Sequence, residues 1–217
     1  MLKIKLQDLL EVEPLTENQN EFFETWPSYP LHLLHGVAGT GKTFIAMYKA
    51  IEEVLQNRHY KRLIILRSPV GARDIGHLPG DVEEKTAVFE LPYEEICQCL
   101  FDNREAYQRL KEQGKIVFGI TSFLRGLTFD NSIIIVDEIQ NLNYHEAYSV
   151  MTRVGMNSKI IFSGDRRQAD INNSGIGRFM SVLKSMQETN FIEFNIEDIV
   201  RSDLVKSFII AEERHEC

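Results

Sequence analysis

Residues 36–43, Gly-Val-Ala-Gly-Thr-Gly-Lys-Thr, constrain the fold of this chain more than any other stretch. They match the phosphate-binding pattern G-x-x-x-x-G-K-[ST] and add a glycine at position 39. An apolar run, residues 31–34, precedes the pattern, and residues 44–55 carry apolar side chains at helical spacing. The pattern therefore predicts a loop that joins a strand to a helix and binds the phosphates of a nucleotide.

Each residue of this loop has an expected part in nucleotide binding. Glycines let the backbone turn its N–H groups toward phosphate oxygens, and the N-terminus of the following helix adds partial positive charge. Lys42 is expected to reach the β- and γ-phosphates, and the Thr43 hydroxyl to coordinate Mg²⁺. The candidate ligands are Gly36, Val37, Ala38, Gly39, Thr40, Gly41, Lys42 and Thr43.

An acidic pair follows the most apolar run of the chain. Residues 133–136 are Ile-Ile-Ile-Val, which is typical of a buried parallel strand, and Asp137 and Glu138 come directly after them. Such a strand delivers both carboxylates to the carboxyl edge of the sheet, where we expect Asp137 to hold Mg²⁺ and Glu138 to polarise the attacking water. The sequence has no Asn-Lys-x-Asp guanine-reading motif, so ATP is the predicted nucleotide rather than GTP.

A second apolar strand, residues 159–163, runs into Gly-Asp-Arg-Arg-Gln. Its glutamine, Gln168, is a candidate for sensing the γ-phosphate through the attacking water. Strand and helix patterns alternate through the chain, so we expect an α/β fold with a mostly parallel sheet and helices on both faces. Residues 1–15 are expected to form an N-terminal arm or an edge strand, and residues 16–217 a single domain. The helical stretch 82–113 is expected to break near Pro92 and again near Asp102.

Composition limits the partners. No apolar run approaches the length of a bilayer span, and the N-terminus lacks the apolar core of a signal peptide. We therefore expect a cytoplasmic protein with no membrane partner. The net charge of −8 argues against a chain dominated by non-specific DNA binding.

Several stretches, taken in this order and spacing, resemble the PhoH family of P-loop ATPases. The Leu-Pro-Gly-Asp and Asp-Glu-x-Gln-Asn stretches make the resemblance specific, and it covers nearly the whole chain. The matching segments are residues 15–19, 36–43, 67–69, 78–85, 125–129, 136–141, 164–168 and 197–201. The Arg-Ser-Pro of residues 67–69 departs from the commoner Arg-Pro pair, and nothing here matches the extra nuclease-like or RNA-binding domain of larger relatives.

The resemblance implies a RecA-like P-loop NTPase fold, similar to one motor domain of superfamily 1 helicases. In that fold, the strand that leads to Gln168 lies between the phosphate-loop strand and the strand that ends at Asp137. Helicase-like ATPases also place a glutamine upstream of the phosphate loop to read the adenine edge, which is one interpretation of Gln19. The other is a capping box in which Thr16 caps a helix and Gln19 reaches back to it, and one residue can serve both purposes.

An arginine is also expected. A superfamily 1 helicase closes its ATP site with an arginine from a second motor domain, which this chain is too short to contain, so a neighbouring subunit is expected to supply it. Arg201 is the first candidate for this finger; the alternative is a surface salt bridge to Asp198 or Asp203. The resulting prediction is a homo-oligomeric ring, with a hexamer as the family-like arrangement.

Two functions follow from these observations. The first is Mg²⁺-dependent ATP hydrolysis coupled to single-stranded nucleic acid in a helicase-like or translocase-like ring, with RNA favoured over DNA. The second is a nucleotide-gated binding module with slow ATPase and no helicase activity, which the acidic net charge favours.

Overall fold

The computed structural model describes residues 3–56, 58–68, 82–124, 126–165 and 175–216. Within these residues the chain forms six strands and seven α-helices: α1 (Glu17–Thr25), β1 (Leu31–Gly36), α2 (Lys42–Gln56), β2 (Arg62–Arg67), α3 (Val82–Phe101), α4 (Ala106–Glu112), β3 (Ile116–Ile120), β4 (Ser132–Asp137), α5 (Tyr144–Met151), β5 (Lys159–Gly164), α6 (Ile176–Lys184), β6 (Thr189–Phe194) and α7 (Asp203–Glu216). None of the helices in these ranges has the length and apolarity needed to cross a bilayer.

The strands form one sheet in the order β3-β2-β4-β5-β1-β6, and all neighbours are parallel. Strand β5 pairs with β1 through Phe162 and Leu33, and with β4 through Ile161 and Ile135. It therefore lies between the strand that leads to the phosphate loop and the strand that ends at Asp137, as the family resemblance implied. The parallel sheet and this strand order confirm the α/β, RecA-like P-loop fold.

Helices cover both faces of the sheet because successive strand residues point to opposite sides. On β4, Ile133 and Ile135 belong to an apolar cluster with buried residues of α1 to α4. Ile134 and Val136 belong to a second cluster with buried residues of α5 and α6. The central strands are buried on both faces, so they read in the sequence as unbroken apolar runs rather than as alternating patterns.

The prediction of a helix break near Pro92 was wrong, because α3 continues through that residue. A proline inside a helix removes one hydrogen bond and costs about 3 kcal/mol. Phe89, Tyr93 and Cys97 recur at four-residue spacing along α3 and are all buried. Their packing on both sides of the proline keeps this segment helical. The second break was correct: α3 ends before Asp102, whose φ of 46° is left-handed.

Residues 3–15 pack against the helical layer of α1 to α4. They contain a short 3-10 helix, Leu6–Asp8, and no strand. Ile4 is 7% exposed and belongs to the same apolar cluster as the buried residues of α1 and α2. The Leu10 N–H donates a hydrogen bond to the Leu100 carbonyl at the end of α3 (2.9 Å). This N-terminal arm thus packs on the end of α3 and on the buried residues of α1 and α2.

A buried histidine lies on β1, away from the phosphate loop. His32 is fully buried, stacks on Trp26 with ring centroids 5.4 Å apart, and its Nδ1 accepts a hydrogen bond from the Asn190 amide (3.3 Å). Burial, aided by the positive charge of Lys159, lowers the pKa of His32 from its usual 6.5 to about 3. The native protein therefore keeps this imidazole neutral in mildly acidic solution.

His32 should make stability depend on pH. Below about pH 6.5 the His32 imidazole binds a proton in the unfolded chain, whereas in the native state it stays neutral down to about pH 3. The free energy of unfolding therefore falls as the pH falls through this window. Between pH 7 and pH 5 we expect His32 to account for a loss on the order of 2 kcal/mol, measured by urea unfolding at each pH. In His32→Gln this loss should disappear, whereas the exposed His145→Gln should keep it. An unchanged pH dependence in His32→Gln would contradict the assignment.

Candidate nucleotide-binding site

A cavity of about 640 Å³ opens at the carboxyl ends of β1, β2, β4 and β5. Residues of the phosphate loop line it together with residues of the N-terminal arm and of α3. The predicted site residues that line this cavity are Gln19, Ala38, Gly39, Thr40, Gly41, Lys42, Thr43, Asp137, Glu138 and Arg201. Gly36 and Val37 lie at the start of the loop, and Gln168 lies outside the described residues. The structure thus brings together side chains that are more than 150 positions apart in sequence.

The phosphate loop leaves β1 through a backbone conformation that requires glycine. Gly36 has a φ of 133°, and a Cβ atom there would lie 1.9 Å from the carbonyl oxygen of Phe194 on β6. The next N–H, of Val37, donates a hydrogen bond to that same carbonyl (3.0 Å). The neighbouring strand therefore determines the direction in which the loop turns.

The Lys42 ammonium lies inside the loop. Its Nζ donates hydrogen bonds to the carbonyls of Gly36 (3.0 Å) and Val37 (2.7 Å) and to the Thr40 hydroxyl (3.1 Å). The residue is 8% exposed, and burial lowers its pKa, while the nearby Asp165 and Asp137 carboxylates oppose that shift. The loop thus holds a desolvated positive charge, which attracts phosphate oxygens more strongly than a solvated one.

Thr43 and Asp137 meet across the cavity. The Thr43 hydroxyl, at the start of α2, donates a hydrogen bond to Asp137 Oδ1 at the end of β4 (2.9 Å). Adjacent hydroxyl and carboxylate oxygens are the ligands that Mg²⁺ takes, so this pair fits the predicted ion. The other carboxylate oxygen, Oδ2, accepts a hydrogen bond from the Tyr93 hydroxyl on α3 (3.0 Å).

Sequence reasoning missed Tyr93. It occupies the buried position of an apolar stripe, and its only signal is that a phenol placed in a core needs a hydrogen-bond partner. The identity of that partner depends on how α3 packs on β4. Tyr93 is fully buried, and its hydroxyl and that of Thr43 each bond one oxygen of the Asp137 carboxylate, which restricts its orientation.

Glu138 has an unusual backbone. Its φ of 53° and ψ of 47° are left-handed, a conformation that costs a non-glycine residue on the order of 1–3 kcal/mol and is concentrated at functional sites. Its Oε2 accepts a hydrogen bond from the Gln140 amide, and its Oε1 lies 3.9 Å from the Arg67 guanidinium. Burial and the neighbouring Asp137 raise the pKa of Glu138, and Arg67 and Gln140 oppose this rise.

Gln19 connects the arm to the phosphate loop. Its backbone N–H donates to the Thr16 hydroxyl, which caps α1 (3.3 Å), but its Oε1 accepts from the Leu15 N–H (2.8 Å) rather than from that of Thr16. Its Nε2 donates to the Thr40 carbonyl (2.9 Å). Both ends of the side-chain amide thus have partners within the chain, and the adenine role stays a prediction.

Arg201 lies against the phosphate loop of its own chain. A Cβ on Gly39 would be 2.9 Å from Arg201 Cγ, and the Val200 N–H donates to the Gly39 carbonyl (3.1 Å). No ion pair among the described residues joins Arg201 to either neighbouring aspartate. Asp198 instead accepts a hydrogen bond from the Asn18 amide (2.6 Å).

Two of the solved structures that match this chain are distant from it in sequence. AMPPCP-bound DnaA from Aquifex aeolicus is 15% identical with a TM-score of 0.37, covering 98% of this chain and 54% of that one. A Walker-type ATPase of Pyrococcus abyssi is 19% identical with a TM-score of 0.33, covering 90% of this chain and 57% of that one. The fold assignment rests on the strand order of the sheet.

Curated relatives are much more similar. A PhoH-like protein of Synechocystis sp. is 35% identical to this chain, and the match covers 94% of this chain and 63% of the relative. A PhoH-like protein of Bacillus subtilis is 34% identical, and the match covers 90% of this chain and 62% of the relative. Protein PhoH of Escherichia coli K12 is 32% identical, and the match covers 87% of this chain and 54% of the relative. The chain thus spans less than two thirds of the length of these relatives. The model of the PhoH-like protein family matches residues 11–213, and the chain belongs to that family.

Proposed function

We propose that this protein hydrolyses ATP in a Mg²⁺-dependent reaction. The observation that carries the proposal is the meeting of Lys42, the Thr43–Asp137 pair and Glu138 in one cavity at the carboxyl edge of the sheet. A buried cation, a pair of oxygen ligands for Mg²⁺ and a neighbouring carboxylate that can act as a base are the groups that phosphoryl transfer to water needs.

Each group has one task in this proposal. Lys42 and the loop N–H groups bind the β- and γ-phosphates and offset charge that develops in the transition state. Thr43 and Asp137 would hold Mg²⁺, which would supply further charge neutralisation at the same phosphates. Glu138 orients a water molecule for attack on the γ-phosphorus and accepts its proton as the bond to the ADP oxygen breaks. Gln168 is proposed to sense the γ-phosphate, and Gln19 to border the adenine.

For Arg201 the geometry supports a second proposal. The role across a subunit interface stays a prediction, and Arg201 also lines the cavity of its own chain, beside Gly39. We therefore propose that it stabilises the charge of the nucleotide bound to its own chain. The aliphatic part of Arg201, which lies against Gly39, supports this proposal.

The finer proposal is that hydrolysis is coupled to single-stranded nucleic acid, RNA rather than DNA, in a homo-oligomeric ring. The family resemblance supports both parts. Association is further supported by α7, where Leu204 is 80% exposed and Phe208 is 67% exposed. Neighbouring apolar residues exposed on one helix are typical of a surface that another chain covers.

One experiment tests the proposal and its rival together. ATP turnover is measured with Mg²⁺ against a panel of single-stranded and double-stranded RNA and DNA at low salt, and the molecular mass is determined in the same samples. Stimulation by single-stranded RNA together with a ring-sized mass supports the coupled ATPase. Slow turnover with no stimulation by any nucleic acid would favour the nucleotide-gated binding module, and no turnover at all would contradict both.

Tyr93→Phe should weaken the response to Mg²⁺. The substitution removes the hydroxyl that donates to Asp137 Oδ2 and keeps the buried ring. Loss of such a supporting hydrogen bond typically costs about 10–100-fold in metal affinity or activity, so the Mg²⁺ concentration for half-maximal turnover should rise by about tenfold. Tyr107→Phe, which removes a hydroxyl bonded to Glu90 away from the cavity, is the matched control. Equal Mg²⁺ dependence in both variants would show that Tyr93 is only part of the core.

A further inference from the structure

Gln140 connects two strands of the site through the two ends of its side-chain amide. The residue lies in the 3-10 turn Ile139–Asn141 that follows β4, and it is 2% exposed. Its Nε2 donates to Glu138 Oε2, and its Oε1 accepts a hydrogen bond from the Asp165 N–H (3.0 Å). Asp165 is the first residue after β5, so one buried side chain joins the ends of β4 and β5.

Close packing holds this connection in place. A Cβ added to Gly164 would lie 2.2 Å from Gln140 Oε1 and 2.9 Å from the Ile139 backbone nitrogen. Any larger residue at the end of β5 would therefore displace the turn that carries Gln140. Because Gly164 has no side chain, the turn approaches β5 closely enough for Gln140 Oε1 to accept the hydrogen bond from the Asp165 N–H.

Gln140 donates a hydrogen bond to one oxygen of the Glu138 carboxylate. The other carboxylate oxygen of Glu138, Oε1, lies 3.9 Å from the Arg67 guanidinium, which exceeds hydrogen-bond distance. Within the described part of the chain, Gln140 is thus the hydrogen-bond donor that contacts this carboxylate directly. A directional hydrogen bond restricts rotation of the carboxylate, whereas a charge at 3.9 Å restricts it weakly.

We infer that Gln140 is a positioning residue that orients Glu138 for proton abstraction and ties it to the start of the segment after β5. The inference rests on the proposed function, in which Glu138 accepts the proton of the attacking water. The same segment continues to Gln168, for which γ-phosphate sensing is proposed. The two hydrogen bonds of Gln140 thus link the backbone at the end of β5 to the Glu138 carboxylate.

Gln140→Met tests this role because methionine keeps the length and volume of the side chain and removes both hydrogen bonds. We expect kcat to fall by about 10–100-fold, the usual cost of losing a supporting hydrogen bond at a site, while the affinity for a non-hydrolysable ATP analogue changes less than about twofold. Gln140→Asn keeps a polar amide at the buried position but is one methylene too short to reach both partners. It should show the same loss of kcat if the methionine variant does not fold.

Asn190→Leu is the matched control, because Asn190 is also a buried amide with two side-chain partners, Thr25 and His32, but lies at the opposite end of the sheet. It should lower the urea midpoint and leave kcat unchanged. Glu138→Gln is assayed in parallel: if it turns over ATP at the wild-type rate, the proposed function fails. If Glu138→Gln is impaired while a folded Gln140 variant keeps full kcat, or loses kcat and analogue affinity equally, the positioning role is wrong.

Discussion

Glu138→Gln is expected to lower ATP turnover by about 10²–10⁴-fold, the usual contribution of a general base, while nucleotide binding is retained. The side chain keeps its shape, so it still fits beside Gln140 and Arg67. The amide cannot accept a proton from water, and the chemical step therefore slows. The measurement is steady-state phosphate release together with equilibrium binding of ATP to the same protein.

Glu112→Gln provides a control for this variant. Glu112 is exposed at the end of α4, far from the cavity, and its neutralisation should change neither turnover nor binding. Wild-type turnover in Glu138→Gln would refute the assignment of the base. A loss of binding equal to the loss of turnover would instead mean that Glu138 supports the site without taking part in the chemistry.

Lys42→Ala is expected to weaken ATP binding and to lower turnover by about 10²–10³-fold, the cost of removing one preorganised group that stabilises transition-state charge. The ammonium is surrounded by loop oxygens and is nearly excluded from water, so its attraction for phosphate is little screened. Titration with a fluorescent ATP analogue measures the binding, and phosphate release measures the turnover.

Lys49→Ala is the comparison for the loss of a lysine on the same helix. Lys49 lies on α2, pairs with Glu52 and does not line the cavity. Its removal should leave nucleotide affinity unchanged. ATP affinity that stays at the wild-type level in Lys42→Ala would show that residues 36–43 are not the phosphate site. The urea midpoint of each variant shows whether a changed affinity comes from unfolding.

Much of the site was predictable because its main parts are local in sequence. A strand, a glycine-containing turn and a helix follow each other within about twenty-five residues, so the position of Lys42 and Thr43 can be inferred without knowing the rest of the fold. The acidic pair is local in the same sense, because it directly follows the buried strand that carries it. Parallel strands bring such segments to one edge of the sheet.

Helix boundaries were predicted correctly where neighbouring residues in the chain determine them. The prediction was wrong where packing against other elements determines the boundary. The helical stretch was expected to reach residue 113, and α4 ends at Glu112, shortly before Gly114 with its φ of 66°. At Pro92 the local rule predicted a break, and the burial of Phe89 and Tyr93 outweighed it. Rules based on neighbouring residues do not include contacts with distant strands.

The sequence by itself determined the phosphate loop, the acidic pair and the α/β alternation, because each depends on residues adjacent in the chain. Only the tertiary structure decided that Tyr93 holds Asp137, that Gln140 joins Glu138 to β5, and that Arg201 lies at its own phosphate loop. Their partners are set by strand order and by helix packing across the sheet. Hydrogen bonds act over about 3 Å, so the partner of a buried polar group is known only once the distant elements have been brought together.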